Sequence, residues 1–212
     1  GDPDQLPPVG PGNVFSDLIR SGMVQTVRLT QIFRQAQKSM IVQNAHRIVE
    51  GQMPQKGGPK DDFFLIESNG LACQKLVCDL VTTRLPRSYQ FDPVKDIQVL
   101  CPTKLGPTGT QALNVELQNL LNPEQKGKPQ LQSAARVFRV GDKVMQIKNN
   151  YDILWQKENG EEGMGVYNGD IGFIETIDRP SKTMQVRFDD RLAEYLFEMV
   201  CKKTNTTKDL SA

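Results

Sequence analysis

The sequence predicts an α/β protein that continues into a small β-barrel. Between residues 24 and 121, short apolar runs that favour strands alternate with helical segments, which is typical of a parallel sheet with helices packed on it. From residue 137 onwards, apolar and polar residues alternate at period two between tight turns, which indicates several short strands. The chain has 212 residues, 38% hydrophobic and 24% charged, which suits one or two globular domains.

The composition excludes several classes of protein. A net charge of +1 provides no overall basic field, so any contact with nucleic acid must come from a local patch or from backbone donors. No apolar run approaches the roughly 18 residues of a membrane span, and no signal-peptide pattern is found, so we expect a cytoplasmic protein without a membrane partner. Cysteines without C-x-x-C spacing and a single histidine predict reduced thiols and no metal site. These residues are Cys73, Cys78, Cys101, Cys201 and His46.

The elements before the barrel are predicted from apolar spacing and from capping residues. Helices are predicted over 13–21 and 39–50, and His46 is interpreted as a structural residue of the second helix. A third helix, 71–84, is expected to end before Pro86. The last predicted helix spans 112–121, and the predicted strands span 24–29, 63–66 and 96–101.

Two segments near the start carry side chains suited to phosphate chemistry. The first, 1–12, reads G-D-P-D-Q-L-P-P-V-G-P-G, and it combines acidic and Gln side chains able to contact a nucleotide with a stiff Pro/Gly loop. A plain turn is the alternative, because Pro and Gly punctuate loops generally. The second, 29–35, reads L-T-Q-I-F-R-Q; by residue type Arg34 is most often solvated or ion-paired, but a guanidinium fork also suits phosphate.

A Gly-rich turn between residues 102 and 110 is the third candidate site. It follows a predicted strand and precedes a predicted helix, a position where backbone N–H groups and the helix dipole favour an anion. It is not a nucleotide-binding P-loop, because Gly109 is followed by Thr110 and Gln111 and not by Lys and Ser/Thr. The alternative is a helix-capping turn without a ligand.

The barrel is predicted to be of SH3-like type, since its strands are short and its turns are tight. Residues 124–134 are interpreted as a polar linker, Asn168-Gly169 predicts a type I′ turn, and 192–200 predicts either an amphipathic helix or a last strand. Three aromatic residues of this region are interpreted either as core or as partner contacts. They are Tyr151, Trp155 and Tyr167.

Four strings resemble motifs of superfamily-1 DNA helicases of the RecD/TraA type, which include the exodeoxyribonuclease V alpha subunit. The opening G-D-x-x-Q-L-P-P-V-G-P-G resembles the third helicase motif, and L-T-x-I-F-R-Q resembles the fourth. The turn before A-L-N-x-x-L-Q resembles a segment that contacts single-stranded DNA, and F-R-x-G-D-x-V-M-Q-x-x-N-N-Y resembles the SH3-like insertion.

The resemblance implies a partial RecA-like parallel-sheet motor domain with an inserted SH3-like β-barrel. Its implied divisions are the end of a first RecA-like motor domain (1–12), an incomplete second one (13–136), the barrel (137–200) and a polar tail (201–212).

The resemblance also implies site residues. Gln5 and Arg34 would be the catalytic residues that sense the γ-phosphate, and Asp2 would join them in binding ATP. The residues implied in binding single-stranded DNA are Pro7, Pro8, Val9, Thr103, Lys104, Thr108, Gly109 and Thr110.

The function implied is part of an ATP-dependent DNA helicase. The parent protein would use ATP and Mg²⁺, and its partners would be single-stranded DNA, the remaining helicase domains and other nuclease or helicase subunits. The sequence contains no G-x-x-G-x-G-K-[ST] loop, no matching D-E pair and no C-terminal helicase motif, so we expect this chain alone to bind neither cofactor and to hydrolyse no ATP. The chain begins inside a motif, which is expected of a piece of a larger protein. The alternative is a non-catalytic nucleic-acid- or protein-binding module derived from a motor domain.

Overall fold

The computed structural model describes residues 1–5, 10–29, 38–133, 136–201 and 210–211. The chain divides into two units, Gly1–Glu67 and Ser68–Ala212. None of the helices formed by the described residues is long and apolar enough to cross a membrane.

The described residues of the first unit form helices α1 (Val14–Ser21) and α2 (Met40–Val49), which confirms the two helices predicted there. Helix α1 ends at Gly22, whose left-handed φ of 66° suits glycine at this position. Helix α2 begins after Ser39, whose side chain accepts a hydrogen bond from the N–H of Val42 at 3.3 Å.

A distant carboxylate also caps α2. Asp62 accepts hydrogen bonds from the N–H groups of Met40 at 2.8 Å and Ile41 at 3.3 Å. In the middle of the helix, the buried Asn44 exchanges two hydrogen bonds with the backbone of Gln55, at 2.7 and 3.0 Å. The chain that follows α2 is therefore tied back to the start and to the middle of the helix.

The segments predicted as parallel strands form no strands in the structure. Residues 24–29, 63–66 and 96–101 have no ladder partner among the described residues. A strand is stabilised by hydrogen bonds to a neighbouring strand, so apolar composition alone does not produce one. The α/β prediction therefore holds as a mixture of helices and strands, and the strands that form are antiparallel.

The second unit begins with helical segments: α3 (Gly70–Asp79), a π-helical turn (Leu80–Arg84), α4 (Leu85–Tyr89) and α5 (Thr110–Leu121). The prediction that the helix ends before Pro86 is wrong, because the helical path continues to Tyr89. Pro86 lies in the first turn of α4, where its missing N–H is tolerated, and the wide π turn directly precedes it.

The strands formed by the described residues lie in the second unit, in a two-stranded sheet and a curled seven-stranded antiparallel sheet. The strand order is β1-β2 in the first and β5-β4-β8-β7-β6-β3-β9 in the second. The bounds are β1 (Gln130–Ser133), β2 (Arg136–Arg139), β3 (Lys143–Gln146), β4 (Asn150–Lys157), β5 (Glu162–Val166), β6 (Ile171–Asp178), β7 (Thr183–Phe188), β8 (Arg191–Leu196), helix α6 (Phe197–Cys201) and β9 (Leu210–Ser211).

Two boundaries differ from the sequence prediction. Strand β1 lies inside the predicted polar linker, where residues 130–133 pair with β2. At the other end, residues 192–200 divide between the two alternatives, because β8 ends at Leu196 and the short α6 begins at Phe197. Strand β1 pairs with the neighbouring β2, and β8 pairs with the neighbouring β7 and with the more distant β4. This pairing, and not the local composition, makes each segment a strand.

The turn at Asn168-Gly169 forms, but it is not of type I′. Its closing hydrogen bond runs from the N–H of Asp170 to the carbonyl of Tyr167 at 3.0 Å. Only Gly169, at φ 95°, has a positive φ within it, whereas type I′ requires a positive φ at both central residues. The turn joins β5 to β6, which are not paired with each other, so it need not match the twist of a hairpin.

The core of the curled sheet is built from alternate residues of its strands. Tyr195 is fully buried in it, and its hydroxyl donates a hydrogen bond to the side-chain oxygen of the buried Gln146 at 2.8 Å. The buried apolar residues are Phe138, Val144, Ile153, Val166, Ile174, Ile177, Met184, Val186, Phe188, Ala193, Tyr195 and Val200.

Candidate nucleic-acid interface

The opening turn holds Asp2 and Gln5 side by side. The Gln5 side-chain amide donates to the Asp2 carboxylate at 3.2 Å, and the N–H of Asp4 donates to the same carboxylate at 3.0 Å. The ring of Phe15 on α1 lies against Gly1, so close that a Cβ at Gly1 would meet it at 3.1 Å. Asp2 and Gln5 are therefore brought together at the surface of the first unit.

This turn alone does not suit a bound triphosphate. Its described side chains are two carboxylates and one amide, and Asp4 is ion-paired with Arg28 at 3.5 Å, so the turn presents little positive charge to phosphate. The predicted contacts Pro7, Pro8, Val9 and Arg34 lie outside the described residues. No group of three or more His, Cys, Asp or Glu side chains within the described ranges is arranged to hold a metal ion.

The third candidate site is a compact loop, residues 103–110, that leads into α5. The N–H of Gly109 donates to the carbonyl of Gly106 at 3.1 Å, and Gly106 has a φ of 87°. A Cβ at Gly109 would lie 2.5 Å from the carbonyl oxygen of Leu105, so only glycine fits there. The loop conformation thus depends on the two glycines that first suggested a phosphate site.

The first amides of α5 are already used within the loop. The N–H of Thr110 donates to the carbonyl of Thr103 at 3.1 Å, and the N–H of Gln111 donates to the carbonyl of Lys104 at 3.2 Å. An anion site at the start of α5 would need these two N–H groups to be free of other acceptors. Contacts with an anion at this loop would therefore come mainly from side chains.

The side chains of the loop differ in their exposure. Thr103 and Lys104 are exposed, Thr108 and Thr110 are half-buried, and Gly109 is buried. The Thr103 hydroxyl donates to the carbonyl of Leu105 at 3.2 Å, which leaves its oxygen able to accept. The structure thus brings the five predicted residues into one loop, with the Lys104 ammonium as its exposed cation.

Helix α5, which carries this loop, is anchored to the barrel by a buried carboxylate. The side-chain amides of Gln118 and Asn122 donate to the two oxygens of Asp142 at 2.6 and 2.7 Å. The same amides donate to the carbonyls of Val137 at 2.8 Å and Val140 at 3.1 Å. One turn of α5 is therefore joined both to a side chain and to the backbone of the barrel.

Asp142 is almost fully buried, and burial raises the pKa of its carboxyl group. The opposing effect comes from its donors, Asn122, the N–H of Arg139 at 2.7 Å and Gln118. The Arg139 guanidinium in turn donates to the carbonyl of Asn122 at 3.1 Å and to the side-chain oxygen of Asn119 at 3.3 Å. These groups form one network that satisfies a buried polar cluster between the helix and the sheet.

Sequence reasoning missed this anchor, although a signal was present. Gln118 and Asn122 are spaced i, i+4, so they lie on one face of a helix, and both are amides that need partners when buried. By residue type, the Gly141-Asp142 pair indicates only a turn. Its partner across 20 and 24 residues is a tertiary contact that no local pattern indicates.

Two of the three aromatic residues left open between core and partner contact are exposed. Tyr151 is 62% and Tyr167 44% exposed, and their rings meet edge to face at 5.8 Å between centroids. Trp155 differs, because it is partly buried and packs against the core of the barrel. Of the three aromatics left open between core and contact, only Trp155 serves the core.

Known proteins resemble this chain in the regions just described. Residues 113–188 match a family model described as the ATP-dependent RecD-like DNA helicase SH3 domain. That range begins within α5 and ends with β7, so it includes the helix and the strands that Asp142 joins. Over these residues the chain resembles RecD-type helicases.

Two further similarities agree with this family. Residues 1–62 match a model described as an AAA domain. The chain is 33% identical over 194 residues to the ATP-dependent RecD2 DNA helicase of Deinococcus radiodurans. The match covers 92% of this chain and 23% of that helicase, so the chain spans about a quarter of the length of its relative. The resemblance predicted from the motifs is confirmed.

Proposed function

We propose that this chain is part of an ATP-dependent DNA helicase, in which loop 103–110 contacts the backbone of single-stranded DNA. The observation that supports it best is the anchor of α5, because the Asp142 network holds the helix that carries the loop against the barrel. A DNA-contacting loop transmits force only if it is held by a rigid element. The relationship to RecD2 adds DNA as the substrate of the whole protein.

The chemistry of the loop suits the DNA backbone and not the bases. Lys104 supplies a positive charge, and the hydroxyls of Thr108 and Thr110 are able to donate to phosphate oxygens. Thr103 would do the same by exchanging the carbonyl of Leu105 for a phosphate oxygen. The buried Gly109 has no side chain, so the loop packs tightly and holds these groups in position. Such contacts are insensitive to sequence, as a translocating enzyme requires.

The proposed nucleotide contacts are Asp2, Gln5 and Arg34. Gln5 already donates to Asp2 at 3.2 Å, so its amide is oriented and could exchange this acceptor for a γ-phosphate oxygen. ATP and Mg²⁺ in the longer protein supply the phosphoryl group and its charge neutralisation. Pro7, Pro8 and Val9 would extend the DNA contact, and residues 13–136 would belong to a RecA-like motor domain.

The DNA contact is tested with Lys104→Ala in this chain and a fluorescein-labelled oligothymidylate. We expect affinity to fall roughly three- to tenfold, and the slope of log affinity against log salt to lose about 0.7, the value for one phosphate of a single strand. Lys75→Ala, an equal charge change on α3, is the control. Unchanged affinity in Lys104→Ala, or equal losses in both variants, would contradict the proposal.

The nucleotide contact is tested in a longer protein that includes a Lys-bearing P-loop. There, Arg34→Ala should lower DNA-stimulated ATP turnover by a larger factor than it lowers DNA affinity, because the guanidinium stabilises charge only in the transition state. Equal losses in turnover and in affinity would sink this assignment.

A further inference from the structure

The outer face of β4, β5 and β8 contains an open groove of about 470 Å³ that the proposed DNA contacts do not use. Its floor is apolar, and its exposed centre is formed by Leu154 on β4 and Met164 on β5, which are 64% and 58% exposed. These two residues are direct cross-strand partners in the sheet register. Leu192 on β8 extends the same apolar floor.

The residues that line the groove belong to paired strands and not to loops. On the opposite face of β5, the Trp155 ring lies so close to Gly163 that a Cβ there would meet it at 2.3 Å. Tyr167 covers Gly165 in the same way, with its hydroxyl 2.9 Å from the position of a Cβ. Gly163 and Gly165 are therefore required on the covered face of β5. Because successive residues of a strand face opposite sides, Met164 and Glu162 lie on its outer face.

The rim of the groove is acidic. Glu162 and Glu194 line it, and both are exposed. Neighbouring cations are already paired with other carboxylates, as Lys157 is with Glu161 at 3.0 Å and with Asp190 at 3.3 Å. Glu194 has no ion-pair partner among the described residues. This charge repels phosphate and favours an occupant that carries Lys or Arg.

The groove adjoins a free strand edge. Strand β5 is the first strand in the order of its sheet, so its outer edge has no neighbouring strand among the described residues. A row of unpaired backbone N–H and C=O groups accepts an added strand. Side chains of an added strand alternate, so every second one would face Met164 and Glu162.

We propose that this groove and the edge of β5 bind an extended protein segment that presents an apolar side chain flanked by Lys or Arg. The apolar anchor would rest on Met164 with Leu154 behind it, and one cation would meet Glu162. Glu194, on the third strand from the edge, would add electrostatic attraction without direct contact. The backbone of the segment would pair with β5. The barrel therefore has an acidic face for a protein partner, separate in chemistry from the loop that carries Lys104.

The proposal is tested by fluorescence anisotropy with a labelled peptide of sequence Thr-Lys-Thr-Leu-Thr-Lys-Thr, whose Leu and both Lys share one face of a strand. We expect saturable binding to the full chain, and no binding of the same peptide with Glu in place of Lys. Glu194→Lys and, separately, Leu154→Ser should each weaken binding about tenfold or more. Hydrogen exchange should show protection of the β5 amides by the peptide.

Two matched controls separate this site from general effects of charge and surface. Glu116→Lys on α5 makes the same charge change, and Leu196→Ser at the end of β8 removes another exposed leucine; both should bind the peptide as the parent chain does. Trp155 is the only tryptophan, so its fluorescence reports whether each variant keeps the barrel folded.

Several outcomes would overturn the proposal. They are equal affinity for the Lys and Glu peptides, an equal loss in Glu116→Lys, and absence of β5 protection. Concentration-dependent dimerisation that Leu154→Ser abolishes would assign the groove to a second copy of the chain. Loss of oligothymidylate binding in Leu154→Ser would assign it to nucleic acid, whereas Lys104→Ala should leave peptide binding unchanged.

Discussion

In the barrel the largest apolar side chains are covered by the chain itself, whereas in the first unit many of them face outwards. Phe138 and Tyr195 in the barrel are 1% and 0% exposed. Leu18 on α1 and Ile48 on α2 are 48% and 58% exposed, although each lies on the apolar side of its helix. Both regions contain large apolar side chains, but they differ in how much of that apolar surface the described residues cover.

The difference follows from the way each kind of element gains its partners. An antiparallel sheet curls upon itself, and its alternate residues then meet across a shared interior. A helix with one apolar face needs a second layer, and the extended segments 24–29 and 63–66 form no sheet that could supply it. Tertiary stability in this chain is therefore concentrated in the barrel and in the helix that the barrel anchors.

The strongest test of this contrast is a pair of truncations. Phe138→Ala should lower the free energy of unfolding of the barrel by about 3–5 kcal/mol, because it opens a cavity in a closed core. Leu18→Ala should cost less than about 1 kcal/mol, since much of that side chain is already in water. Urea unfolding followed by far-ultraviolet circular dichroism and by Trp155 fluorescence measures both. Similar costs for the two substitutions would break the comparison.

A smaller effect is expected at the anchor of α5. Asp142→Ala leaves the amides of Gln118 and Asn122 without their acceptor, so it should lower the free energy of unfolding by about 1–3 kcal/mol. The control is Asp178→Ala, which removes an exposed carboxylate that accepts a hydrogen bond from the Ser181 hydroxyl. It should change the free energy of unfolding by less than about 0.5 kcal/mol. A neutral Asp142→Ala would show that the network does not fix α5 to the barrel.

The smallest expected effect is a pKa shift, which has opposite directions in two carboxylates, Asp62 and Asp142. The hydrogen bond from Ser39, and then those from Ile41 and Met40, lower the pKa of the exposed Asp62 against a smaller effect of desolvation. Desolvation raises the pKa of the buried Asp142. Titration of the carboxyl carbons by NMR should therefore place Asp62 below 3.8 and Asp142 above it.

These shifts affect stability with opposite signs. The contribution of Asp62 is present above its unfolded pKa and is lost as pH falls through the lower folded pKa. The contribution of Asp142 is present below its unfolded pKa and is lost as pH rises through the higher folded pKa. Asp62→Asn and Asp142→Asn should each remove the corresponding dependence. Two carboxylates that titrate in the same direction would contradict the contrast between the exposed cap and the buried anchor.

Local patterns predicted the elements whose interactions are local. Helices α1, α2 and α5 appear close to where apolar spacing and capping residues place them, because their hydrogen bonds join residues three or four apart. The period-two alternation after residue 137 was confirmed for the same reason, since each strand carries its own in-out pattern. The family resemblance came from four strings of residues and was also confirmed.

Other predictions failed where the outcome depends on whether a second segment pairs with the first. The apolar runs at 63–66 and 96–101 match buried strands but pair with no strand, whereas the polar stretch 130–133 became β1 because β2 lies beside it. Pro86 did not end its helix, because a π turn adjusts the backbone ahead of it. The roles of Gln5, Arg34 and the loop residues stay predictions.

The amino-acid sequence was sufficient for the family, for the positions of the helices and for the alternation of the barrel strands, because each depends on residues near one another in the chain. The exposure of Tyr151 and Tyr167, the anchor at Asp142 and the acidic groove beside β5 arose only in the folded chain. The same physical cause applies to all three features. Burial and hydrogen bonding between strands and helices far apart in sequence decide which face each side chain shows to water.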